Sequence, residues 1–205
     1  MGIKTDTKGF KEFQNYLKKI SSPKAMQDLK EDIKNYMIKS TVNKITSGNI
    51  KGSKTLSGLT KSLKGSSKVL QDTGALRKSI RGALTRKSVL VGSNLIYAAI
   101  HNEGGTIKPV KAKHLYIPAF KEVKTRYGSD AFGVSGAINN MKKDGWNIWH
   151  TNRAVLGKRK QDTKARVIFF KKKSVEIPQR QYLYISRKDK QVLTKLAIKI
   201  WEQAA

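Results

Sequence analysis

Between Asp32 and Glu103 the chain carries one acidic residue, Asp72. Lysine and arginine recur throughout the same stretch, so helix-stabilising ion pairs have almost no acidic partner to form with, and the cations must face solvent or a polyanion. The whole sequence repeats this bias: 43 Lys+Arg against 14 Asp+Glu give a formal net charge of +29 over 205 residues. Self-repulsion on that scale is relieved by counterions or a phosphate-rich partner. A solvated lysine-rich surface is the alternative. The continuity of the positive charge favours contact with nucleic acid.

A 38% apolar content supplies a core while leaving long solvated segments, and one domain spanning 1–205 with a large loop is the expectation. The chain has no cysteine, which excludes disulfides and thiolate metal sites and fits a reducing compartment. MGIKTDTKGF lacks a signal-like apolar core, and no run approaches the roughly 18 apolar residues of a membrane span, so a soluble protein without a membrane partner is expected.

Apolar spacing organises the ends. Phe10, Phe13, Tyr16, Leu17 and Ile20 predict a short amphipathic helix over Gly9–Ile20. Ser22 before Pro23 is an N-cap and first-turn signal for a long second helix carrying Met26, Leu29, Ile33, Tyr36 or Met37, Ser40 and Ile45 on one face, fraying near Gly48. Residues 48–68 are rich in glycine, serine, threonine and lysine, with isolated Ile50, Leu56, Leu59 and Leu63; this composition predicts a mobile basic arm. Lys51, Lys54, Lys61, Lys64 and Lys68 are its candidate phosphate contacts. Asp72 or Thr73 then caps a short helix with Leu76 and Ile80 on its buried face, from which Arg77 and Lys78 project as further candidate nucleic-acid contacts.

Strand signals follow at Ser88–Gly92, at His114–Ile117 before Pro118, and at Arg166–Phe170, with a helical turn in "NLIYAAIHNEGG" stopped by Gly104 and Gly105. "IPQRQYLYIS" reads as extended chain entered at Pro178, with Tyr182 and Tyr184 on one side and Leu183 and Ile185 on the other. It leads into a C-terminal helix capped by Ser186 and striped by Val192, Leu193, Leu196, Ile200 and Trp201. The middle, 121–164, has weak periodicity and reads as an insertion; Trp146 and Trp149 serve its local packing in preference to stacking on bases.

Catalytic readings find little support. His101 with Glu103 is a tempting pair, but it lacks a nucleophile or a metal-ligand pattern and reads as structural. His101, His114 and His150 are dispersed and the acids are scattered, so no metal site or cofactor is expected. "GSKTLSGLTKSLKG" does not match a phosphate-binding loop. Arg180 can fork onto a carboxylate of a neighbouring subunit or remain solvated.

The ordered series "LQDTGALRKSI", "VGSNLIYAAIHNEGG", "AKHLYIP" and "KKKSVEIPQRQYLYIS" resembles the Mu-like virion morphogenesis family of tailed bacteriophages and prophages, itself similar to tail completion and neck proteins. The resemblance implies an α+β domain, a twisted, mostly antiparallel sheet flanked by N-terminal and C-terminal helices. It also implies a non-enzymatic structural role in tail completion and head–tail joining. The chain would form a homo-oligomeric, hexameric ring at the tail–head junction of the virion, after assembly in the host cytoplasm, with Arg180 and Tyr182 as candidate interface residues. Its partners would be a tail terminator or tail tube, head–neck proteins and the end of the packaged double-stranded DNA. The alternative is a basic nucleic-acid-binding module unrelated to virions.

Overall fold

The structure, a computed structural model, describes residues 22–128 and 133–204, together with Lys11, Gln14, Asn15 and Lys18. Those four positions are helical; Phe10, Phe13, Tyr16, Leu17 and Ile20, on which the first helix was predicted, lie outside the described residues. The fold is α+β, and every strand pairing among the described residues is antiparallel. Contacts gather the chain into two compact units: 1–50, 74–98 and 182–205 form one, and 51–73 and 99–181 the other.

The first unit is organised by helix α1 (Pro23–Ser47), whose ends are those read from sequence. The Ser22 hydroxyl accepts from Ala25 N at 3.1 Å, Pro23 occupies the first turn, and Gly48 closes the helix with φ +76°. It packs on a hairpin of β1 (Ile80–Leu84) and β2 (Val89–Ser93) and on α6 (Arg187–Ala204). The β1 strand is a correction. Ile80 opens it instead of extending the preceding helix α3 (Ala75–Ser79), although Leu76 and Ile80 are both buried as expected. Neither Asp72 nor Thr73 occupies the N-cap position of α3; Gly74 stands there with φ +79°.

One polar network fastens α1 to α6. Lys44, only 6% exposed, donates from Nζ to Asp189 Oδ2 at 2.7 Å and to the Tyr184 carbonyl at 2.6 Å, and lies 4.3 Å from the centre of the Tyr184 ring. Asp189 also accepts from Tyr36 Oη, Ser40 Oγ and the Ser186 amide and hydroxyl. The Ser186 hydroxyl in turn accepts from Asp189 N at 3.1 Å, completing a capping box at the start of α6. Burial opposes the charged form of Asp189, but hydrogen bonds from Lys44, Ser40 and Ser186 outweigh it and hold the carboxyl well below the usual carboxylate range. Burial and the Asp189 charge push the Tyr36 phenol up.

The second unit holds a four-stranded sheet in the order β4-β7-β6-β5, from β4 (Leu115–Pro118), β5 (Trp146–His150), β6 (Ala154–Arg159) and β7 (Arg166–Lys172). Helix α5 (Gly133–Lys143) packs against β5 and against a π-helical turn at Val123–Tyr127. Segment 121–164, read as an insertion, therefore supplies half of this sheet and most of its core. Val123, Tyr127, Ala137, Ile138, Met141, Trp146 and Val155 bury together with Ile168 and Phe169 of β7. Trp146 sits inside that core, with the Arg159 and Arg166 guanidiniums 4.4 and 4.9 Å from its ring, consistent with local packing rather than base stacking.

A second, two-stranded sheet of this unit joins β3 (Gly105–Ile107) to β8 (Val175–Ile177). Extended structure thus precedes Pro178, contrary to the reading that placed it after; beyond the proline a single bridge, Gln181 to Lys51, remains. The segment 48–68, expected from its composition to be a mobile basic arm, carries local structure. It contains helix α2 (Gly58–Lys64), with Ser57 accepting from Thr60 N at its start and Gly65 closing its end, while Ile50 and Leu56 are buried. Two well-placed caps organise this helix of only two turns.

Helix α4 (Ala98–Glu103) stops at Gly104, which has φ +78°; a Cβ there would lie 2.8 Å from the Gln179 backbone nitrogen. Gly104→Ala is therefore expected to lower stability by about 1–3 kcal/mol in thermal or denaturant unfolding, through combined strain and backbone collision. Asp189→Ala leaves the Lys44 ammonium buried without its counter-charge and is expected to cost about 3–5 kcal/mol. Because Asp189 is depressed in the folded state, its contribution is present above about pH 4 and fades as pH falls below that value. Unfolding curves collected from pH 7 to pH 2 should show this acid limb in the wild type and a shallower one in the variant.

Candidate nucleic-acid interface

The predicted contacts divide between the two units. Lys51, Lys54, Lys61, Lys64 and Lys68 belong to the second, and Arg77 and Lys78 to the first. Lys51, Lys54, Lys61 and Lys68 are exposed, as a phosphate-contacting role requires. The Lys51 backbone is held in place by reciprocal bonds with Gln181, at 3.1 and 3.0 Å. Lys64 differs: it is half-buried, its Nζ donates to the Lys68 carbonyl, and burial pushes its ammonium pKa down, with neighbouring Lys124 and Arg180 adding to the shift against the opposing pull of Asp72. In the first unit Arg77 and Lys78 are exposed beside the buried Leu76, the geometry expected of their short helix.

Two cations that sequence reasoning missed join the lysines of the second unit. Lys124 pairs with Asp72 at 2.8 Å, and a Cβ built on Gly65 would lie 3.8 Å from Lys121 Nζ. Both had been assigned to an insertion, and only their spacing before the tyrosine of "KEVKTRY" hinted at one basic turn. Asp72, the lone acid of the basic stretch, is thus an ion-pair partner for Lys124.

Arg180 and Tyr182, taken together as interface candidates, have different fates. Tyr182 is fully buried within the first unit, donating to the Ala98 carbonyl at 3.0 Å, and burial pushes its phenol up to about 12. Its ring is part of the protein's own core, so the structure removes it from the interface set. Arg180 is 8% exposed and its backbone amide donates to the His101 carbonyl at 3.0 Å. His101 is half-buried; burial first, then the Arg180 charge, pushes its imidazole pKa down.

Among the described residues no group of three or more His, Cys, Asp or Glu side chains could hold a metal ion, and no helix is long and apolar enough to cross a membrane. The fold and its cationic surface place the chain among α+β proteins built around antiparallel sheets. It belongs to the phage virion morphogenesis family, which matches residues 49–201. The match begins beside Gly48, at the end of α1, and takes in both two-stranded sheets and the four-stranded sheet. Membership supports a structural or assembly role in a phage particle. No curated protein and no solved structure matches the chain.

Proposed function

We propose that the protein is a non-enzymatic component of phage assembly that acts in tail completion and head–tail joining. It forms a homo-oligomeric ring of six subunits at the neck and presents its basic surface to the end of the packaged double-stranded DNA. Family membership over 49–201 supports the phage role. The observation that carries the DNA contact is the set of exposed lysines at 51, 54, 61 and 68 in a stretch nearly free of acid. A ring with a heterologous interface leaves separate faces for a tail protein and a head–neck protein, which fits a junction component. A basic module unrelated to virions shares the charge but not the family.

Exposed lysines that neutralise phosphates release counterions, so affinity falls steeply with salt and depends little on sequence. Replacing Lys51, Lys54, Lys61 and Lys68 with glutamine is expected to weaken duplex DNA binding and to reduce the slope of log affinity against log salt by about 3–4. Ring assembly, followed by sedimentation, should persist. An unchanged slope would remove these lysines from the DNA contact.

A further inference from the structure

A guanidinium that is almost completely buried normally has its fork filled by a carboxylate or by carbonyl oxygens, because its five donors otherwise lose water without replacement. Arg180 departs from that pattern at its Nε. The residue is 8% exposed, its Nε is sealed from solvent without a hydrogen-bond partner, and among the described residues it forms no ion pair. Burial, with no opposing negative charge, pushes the Arg180 guanidinium pKa down, and Asp72, the acid that acts on nearby Lys64, is engaged by Lys124 at 2.8 Å. Lys64 and His101 lie close enough for their protonation to feel the Arg180 charge. The surroundings of Arg180 are therefore short of negative charge.

We propose that Arg180 is the anchor of a recessed acceptor site for an aspartate or glutamate side chain of a protein partner. A carboxylate on a side-chain stem can enter a recess and satisfy the planar fork in a bidentate fashion. The backbone of a DNA duplex is a broad rod that meets protruding lysines more readily than a residue with 8% of its surface in solvent. Lys64, with its ammonium pKa already lowered, gains proton affinity when the negative charge arrives, and so does His101. The site stands apart from the DNA reading, since none of the four exposed lysines used there takes part in it.

Such an arrangement leaves a measurable cost in the free protein. Replacing an unpaired buried charge with an apolar side chain of similar length removes that cost, whereas replacing a structural arginine adds one. Arg180→Met is accordingly expected to raise the Tm of the isolated chain by about 2–4 °C. A fall in Tm would make Arg180 structural and overturn the proposal.

The binding arm uses the full chain labelled with 15N, titrated at low salt with an acetyl-capped tetraglutamate peptide, inorganic phosphate or a short DNA duplex. Peptide should move the Arg180 Nε–H resonance saturably and raise the His101 pKa. Arg180→Gln should bind the peptide at least tenfold more weakly while keeping its DNA affinity and salt slope. Equal peptide binding by Arg180→Gln, or an Arg180 resonance moved by duplex or phosphate and not by peptide, would refute the carboxylate site. Loss of the lysine salt slope in the preceding experiment would leave this result untouched, so the two readings fail separately.

Discussion

The buried Lys44–Asp189 pair is the interaction on which the first unit depends. It joins residues 145 positions apart, so its formation closes a long loop and must offset the entropy of doing so. The pair alone would be a poor stabiliser, because desolvating two charges costs about as much as their attraction returns. Its surroundings change the balance. Tyr36, Ser40 and Ser186 fill the remaining lone pairs of the carboxylate, while the Tyr184 carbonyl and ring receive the ammonium. A fully satisfied network of this kind fixes the rotation and register of α1 against α6, since a shift by one residue in either helix strands a charge.

What sequence made legible follows from where the physics is local. Caps are local: Ser22 with Pro23, Gly48, Ser186 and Gly104 all mark the boundaries expected of them, because each acts on amides or turns within a few residues. Three strands with continuous β-branched or aromatic runs were equally visible, at Val89–Ser93, Leu115–Pro118 and Arg166–Lys172. The strands β5 and β6 were hidden for a reason. A register shift between Val155 and Leu156 breaks the alternation, and two guanidiniums cover the Trp146 ring, so a core residue sits among polar neighbours in the sequence. The Lys44–Asp189 link was invisible, because neither residue's burial can be read without knowing that the two helices meet.

The candidate site was legible in its charge and only partly in its geometry. Exposed Lys51, Lys54, Lys61 and Lys68 stand as a basic composition demands, while Lys64 turns its ammonium to a backbone carbonyl. Lys121 and Lys124 escaped notice because their segment lacked periodicity, and Asp72 was read as a helix cap when its carboxylate instead holds Lys124. In "QRQYLYI" neighbours separate sharply: Arg180 is buried with its Nε unpartnered, Tyr182 is core, and Ile185 is exposed. Strand alternation could not have sorted them, since the chain after Pro178 is irregular apart from one bridge.

The proposed role makes this chain a built-in part of the junction between head and tail. Quantitative mass spectrometry of purified phage particles, separated into heads, tails and joined particles, addresses it directly when paired with cryo-electron microscopy of the joined fraction. Under the proposed role, each joined particle holds six copies, in a ring at the neck that encircles the DNA end. Absence of the chain from joined particles, or its distribution along the capsid shell or the tail shaft, would contradict it.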